Sequence, residues 1–271
     1  MMIRSLSGAV YVALIIGCIL AGNLWFAILT GILIVLSMYE LQSLLTKRSP
    51  MASGIRFFDI AMALCLLAGL SLINLYSSLA GTYFICFGVL YISLRIILAV
   101  ADKGENPAKS MLYSLLSMCY LAWPLLLLYI AYSNYTDGKA LVLITFILIW
   151  VNDTGAYLSG MSMGRHKMCE RLSPKKTWEG FWGGFILCIV AGIVSAMIIG
   201  HAGLEKMIIW GVYAALVSLF GTFGDLFESL IKRNLNVKDS GNLIPGHGGI
   251  LDRIDSILAV APLAALMSSI L

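Results

Sequence analysis

The stretch Ala140-Leu-Val-Leu-Ile-Thr-Phe-Ile-Leu-Ile-Trp150-Val-Asn-Asp153-Thr-Gly-Ala-Tyr157-Leu-Ser-Gly160 holds one ionisable carboxylate in an otherwise uncharged run. About 20 apolar residues in a helix cross the ~30 Å hydrocarbon core of a bilayer, so this stretch is long enough to span. An aspartate following Ile147–Val151 with no adjacent cation is expensive in hydrocarbon, so Asp153 is expected to face a polar cavity. Reading outward in windows of the same length gives eight more spans: Leu6–Ala21, Leu24–Leu45, Phe57–Ser78, Gly81–Ala101, Met111–Ser133, Phe181–Gly200, Met207–Ile231 and Ile250–Leu271. The expected fold is all-α, a polytopic transmembrane helical bundle of about nine helices.

Composition agrees with that reading. Of 271 residues, 60% are hydrophobic and 12% charged, against roughly 45–50% and ~25% in soluble domains. So few charges cannot cover a soluble surface, which excludes an ordinary cytosolic enzyme, a disordered chain and a secreted disulfide scaffold. The six cysteines form no CxxC pair, and five lie in apolar spans, so they read as small core hydrophobes. Arg4 before an apolar stretch could open a signal peptide. Ile19, Ala21 and Asn23 make a poor cleavage site, however, and the first stretch is read as a span. With no internal repeat, the chain is expected to be one membrane domain, 1–271. Within it, 1–140 supplies N-terminal spans and 141–271 a core with motif-bearing loops.

Positive charge is distributed unevenly. With nine spans, fifteen lysines and arginines fall on the side of the N-terminus, and only Lys139 and Lys206 on the other; Arg95 lies inside the fourth span near the first side. The positive-inside rule then puts the N-terminus and the long loops in the cytoplasm.

Half of all charged residues occupy Arg165–Glu179 and Asp225–Asp255. Topology accounts for the bases but not for the acids, which contribute little to orientation. Asp225, Glu228, Ser229 and Lys232 recur at helical spacing on one face. Asp252 and Asp255, three apart, open the last span. Carboxylates at the ends of two successive spans would repel one another unless something positive lies between them. Mg²⁺ takes oxygen ligands from carboxylates and substrate phosphates, and neighbouring Lys232, Arg233, Lys238 and Arg253 suit phosphate. Between the acids, Gly241-Asn-Leu-Ile-Pro245-Gly246-His247-Gly248-Gly249 is too rich in glycine and proline for a helix. Its backbone N–H groups could cradle phosphate, with His247 read as a phosphate contact ahead of a general base. Ser173-Pro174-Lys175-Lys176-Thr177-Trp178-Glu179-Gly180 reads either as a cap on the seventh span, Ser173 followed by Pro174 at the first helical position, or as a further anion site. Glu40, near the cytoplasmic end of the second span, has the simple reading of a side chain snorkelling to the interface.

At this point the residues resemble a known family. Ser229-Leu-Ile-Lys232-Arg233 followed by Lys238-Asp239-Ser-Gly241-Asn-Leu-Ile-Pro245-Gly246-His247-Gly248-Gly249-Ile-Leu-Asp252-Arg253-Ile-Asp255 resembles the signature of phosphatidate cytidylyltransferases, the CDP-diacylglycerol synthases. Asp153-Thr-Gly-Ala156-Tyr157 and the Ser173–Gly180 stretch resemble the same family in the same order, so the likeness runs from about Trp150 to Pro262. It implies that CTP and phosphatidic acid give CDP-diacylglycerol and pyrophosphate in phospholipid biosynthesis, with Mg²⁺ at a two-metal site. It also implies a homodimer of nine-helix subunits in the bacterial inner membrane, among membrane lipids, with its site facing the cytoplasm and no nucleic-acid partner. By the same resemblance Asp225, Asp252 and Asp255 hold metal and, with Lys232 and Arg233, form the catalytic set. Substrate contacts are expected from Lys175, Lys176, Lys238, Asp239, Ser229, His247, Gly248, Gly249, Arg253 and Asp153. Another membrane CTP-using transferase, such as a polyprenol kinase or a CDP-archaeol synthase, would share the nucleotide chemistry and differ in acceptor. An ion-coupled transporter would instead keep its acids near the midplane.

Overall fold

A computed structural model describes residues 2–47, 51–76, 79–102, 106–133, 137–200, 203–241 and 248–271, with side chains from Ser7 onward. Among them run helices α1 (Met2–Ala21), α2 (Asn23–Thr46), α3 (Ser53–Tyr76), α4 (Leu79–Val89), α5 (Tyr91–Ala101), α6 (Pro107–Ser117), α7 (Trp123–Ser133) and α8 (Gly138–Met163). A two-stranded antiparallel hairpin, β1 (Lys167–Cys169) and β2 (Ser173–Thr177), precedes α9 (Trp178–Ile198), α10 (Leu204–Asn234) and α11 (Leu251–Ile270). Eight helical segments are long and apolar enough to cross a membrane, with α4–α5 and α6–α7 each counting as one; α1 supplies a ninth, shorter apolar helix. The chain is thus a polytopic, integral membrane protein, and each expected span has its helix.

Local chemistry explains the breaks. Gly22, at φ 116, is the only non-helical residue between α1 and α2; that left-handed conformation suits glycine alone. Between α6 and α7 the backbone widens into a π turn, Met118–Ala122, where the Trp123 N–H donates to the Met118 carbonyl. Pro124 follows at once and has no N–H to donate, so the wider turn accommodates it within a continuous span.

The chain divides into two compact units, Met1–Asn134 with Asp239–Leu251, and Tyr135–Lys238 with Asp252–Leu271. In the first, Phe26 stacks on Tyr132 at 4.2 Å between centroids, and the Tyr132 hydroxyl donates to the Ile19 carbonyl at 2.7 Å. Two of its buried charges, Asp59 and Arg95, lie together. Asp59 accepts from Gln42 Nε2 and from the Tyr91 hydroxyl, each at 2.9 Å. Arg95 Nε lies 3.8 Å from Asp59 Oδ1, and the guanidinium donates to Ser114 at 3.0 Å and Ser110 at 2.8 Å. Arg95, which the sequence places inside the fourth span, is completely buried.

In the second unit α8 and α9 meet through glycine. A methyl group on Gly184 would lie 2.6 Å from the Asn152 carbonyl oxygen, and one on Gly155 2.8 Å from Leu187. Small residues at such positions let transmembrane helices approach at backbone distance. All six cysteines are free, but as core residues they depart from expectation: only Cys188 is buried, and Cys86 and Cys119 are exposed on their helices. A thiol on a lipid-facing surface is apolar enough to stay there.

Candidate functional site

The site is built by α8, the hairpin, α10 and α11, all in the second unit. The hairpin differs from the helix cap that its sequence suggests. Ser173 does not cap the seventh span. Ser173–Thr177 is strand β2, and α9 begins at Trp178 with Thr177 as its N-cap, whose Oγ1 accepts the Gly180 N–H at 3.2 Å. Glu179, in the first turn, reaches back to the start of the hairpin. Its carboxylate accepts the Arg165 N–H at 3.1 Å and the His166 N–H at 3.2 Å, and bonds His166 Nδ1 at 2.6 Å. An anion is favoured at that helix end, so Glu179 fixes the hairpin to α9. Strand geometry then carries Lys175 and Lys176 to a cavity of about 400 Å³, lined also by Asp153, Thr177, Thr222 and Asp225.

Lys176 Nζ pairs with Asp225 Oδ2 at 2.7 Å and also reaches the Thr222 carbonyl at 3.4 Å. Asp153 lies along the same cavity, as its placement inside a span required. Further along α10, the Ser229 hydroxyl donates to Asp225 at 3.5 Å. The helix is 31 residues long, which at 1.5 Å per residue is about 46 Å, well beyond the hydrocarbon thickness.

Close backbone packing joins α10 to α11. A methyl on Gly224 would lie 2.8 Å from both the Ala259 Cβ and the Asp255 carbonyl oxygen. This contact brings Asp225 and Asp255 together. Carboxylate oxygens of Asp225, Glu228 and Asp255 lie within 4.8 Å of one another. Glu228 is 1% exposed, and among the described residues its Oε1 has no hydrogen-bond donor. A buried oxygen without a donor calls for a partner. Three hard oxygen donors at this spacing fit a divalent cation such as Mg²⁺. Lys232 Nζ bridges Glu228 Oε2 and Asp252 Oδ1, each at 2.5 Å, so Asp252 stands ion-paired at the edge of the trio.

Of the residues singled out in the sequence, Asp153, Lys175, Lys176 and Asp225 share the cavity; Ser229, Lys232, Asp252 and Asp255 adjoin it through the contacts just given. Arg233 is exposed, its Nη1 on the Val237 carbonyl at 3.5 Å, and Lys238 and Arg253 are exposed. Asp239, Gly248 and Gly249 belong to the first unit, and His247 lies outside the described residues. Sequence reasoning put Glu228 on the same helical face as Asp225, but the metal ligands implied by the family resemblance did not include it. Sequence reasoning also missed Thr177 and Thr222, neutral residues that only the fold brings to the cavity.

Residues 2–271 match the sequence model of the cytidylyltransferase family. The chain is 32% identical over 272 residues to a protein of Staphylococcus aureus named phosphatidate cytidylyltransferase, and 31% identical over 270 residues to one of Staphylococcus haemolyticus with the same name; each alignment covers 97% of both chains. A Staphylococcus epidermidis protein, again so named, is 43% identical over 133 residues, 49% of this chain and about half the length of that relative.

Proposed function

Given that the chain belongs to the cytidylyltransferase family, and is therefore a membrane-embedded nucleotidyltransferase, we propose that it transfers the cytidylyl group of CTP to phosphatidic acid. The products are CDP-diacylglycerol and pyrophosphate. The observation that carries this reading is the carboxylate trio of Asp225, Glu228 and Asp255 beside a cavity lined by Lys175 and Lys176. That combination suits two anionic reactants.

A phosphate oxygen of the lipid attacks the α-phosphorus in line. A new P–O bond forms, the bond from the α-phosphorus to the bridging oxygen breaks, and its electron pair leaves with pyrophosphate. A phosphomonoester oxygen is a competent nucleophile near neutral pH, so no general base is needed. A divalent cation, once bound, supplies relief of charge repulsion between the reactants and stabilises the developing charge. Asp225, Glu228 and Asp255 would hold it, and Asp252 is oriented beside them by Lys232. Lys175 and Lys176 carry positive charge into the cavity to meet phosphate oxygens. In the free protein Lys176 is held by Asp225, so it is already directed inward. Asp153, which lines the same cavity, would orient a hydroxyl or amino group of the nucleotide. The exposed Arg233, Lys238 and Arg253 suit phosphate by their charge.

The fifteen-to-two bias in positive charge supports a cytoplasmic face for the site in a bacterial inner membrane, where CTP is available and the lipid is in the bilayer. The family resemblance alone adds a homodimer.

Purified protein given radiolabelled CTP and phosphatidate should yield a lipid-soluble labelled product only when a divalent metal is present. Undiminished turnover in excess chelator would remove the metal from this reading. A panel varying nucleotide and lipid acceptor tests the substrates, and preference for a polyprenol or archaeol acceptor would replace phosphatidate.

A further inference from the structure

We infer that Glu40 is a positioning residue whose buried carboxylate holds Gly241 and Gly249, which bracket the glycine-rich signature stretch, at the start of α11. The inference rests on the reading of that stretch as part of the phosphate-handling machinery. Glu40 sits in α2 and is 5% exposed, so it does not snorkel to an interface. A carboxylate buried to that degree must be hydrogen-bonded. The Leu251 N–H donates to its Oε2 at 2.8 Å, across 211 positions of sequence. Leu251 is the first residue of α11, where backbone N–H groups have no acceptor within the helix and the dipole favours an anion.

Two glycines also lie against this carboxylate. A methyl group on Gly241 would overlap Glu40 Oε1, and one on Gly249 would overlap both that oxygen and the Ser240 hydroxyl. The chain thus leaves the carboxylate at Gly241 and returns to it at Gly249, with no room for a side chain at either passage. Gly248, between the clamp and the loop, has φ 85, a conformation that favours glycine. Two glycines of the signature stretch are therefore required by an acid on a distant helix. Asp252 and Asp255 follow within the first turn and a half of the helix that the clamp opens.

The test uses the full chain in detergent. Glu40→Ala should raise the KM for CTP about tenfold or more, with the KM for phosphatidate changed by less than about twofold, because loosening a substrate-positioning segment acts on the part it holds. Glu40→Gln keeps an oxygen for the Leu251 N–H and should recover most of the loss. Hydrogen exchange at residues 248–252 should quicken about tenfold in Glu40→Ala, which requires no turnover. If Glu40→Ala does not fold, Gly241→Ala disturbs the same clamp from the other side and should give the same KM split. Wild-type kinetics and wild-type exchange in these variants would overturn the inference. So would a lowered melting temperature with both KM values intact, since Glu40 would then be only structural. If the wild type itself fails to use CTP and phosphatidate, the proposed function falls, and the exchange comparison alone decides whether Glu40 clamps the loop.

Discussion

The first unit buries an acid and a base together, Asp59 with Arg95; the second gathers Asp225, Glu228, Asp255 and Asp252 against Lys176 and Lys232. Both assemblies are made of the same residue types inside a membrane bundle, yet they differ in access. Asp59 and Arg95 are each 0% exposed, and four neutral side chains close around them. In the other assembly, Asp225 and Lys176 are 38% and 26% exposed along a cavity. A buried ion pair gives little net stability, but losing one partner is costly. The sealed cluster therefore ties α2, α3, α5 and α6 to one arrangement, while the open one keeps acids and bases where reactants can reach them.

Mutations should separate the two. Asp255→Asn and Asp252→Asn should each lower turnover at least about a hundredfold, while the detergent-solubilised protein keeps its wild-type elution and melting behaviour. Near-normal rates in either would remove that residue from the site. Arg95→Met should do the opposite. Leaving Asp59 without its cation costs about 3–5 kcal/mol, seen as a lower melting temperature with specific activity per folded molecule preserved. The pair Asp59→Leu with Arg95→Met should recover most of that stability; failure to recover would mean that the cluster does more than hold helices. Gly184→Ala, by overpacking α8 against α9, should cost about 1–3 kcal/mol and lower activity, because Asn152 and Asp153 lie on the helix that is pushed away. The smallest effect belongs to Thr177→Ala, at about 1 kcal/mol for the lost cap. A melting curve unchanged in that variant would show the hairpin to be held by Glu179 alone.

Much of this architecture was legible in the sequence, for physical reasons. Hydrocarbon imposes length and apolarity on every span, so nine stretches were readable without knowledge of what they pack against. Asp153 was also readable, because a lone acid in a span needs a cavity. What escaped was set by tertiary partners. The hairpin at 167–177 has too few apolar residues to show strand alternation, and Ser173-Pro174 imitates a helix start four residues too early. Glu40 near a span end looks the same whether it snorkels or is buried, and its partner Leu251 lies far along the chain. The partner of Arg95 could not be read from the sequence because its acid, Asp59, is on another helix.

One contact within the second unit has a further meaning. At Gly224, α10 touches α11 through main-chain atoms, with the Asp255 carbonyl and the Ala259 methyl filling the space of an absent side chain. Side chains can change rotamer to suit a guest, but two helix backbones in contact cannot move apart without disturbing the bundle. The absent side chain at position 224 thus sets how closely the two backbones that carry Asp225 and Asp255 approach.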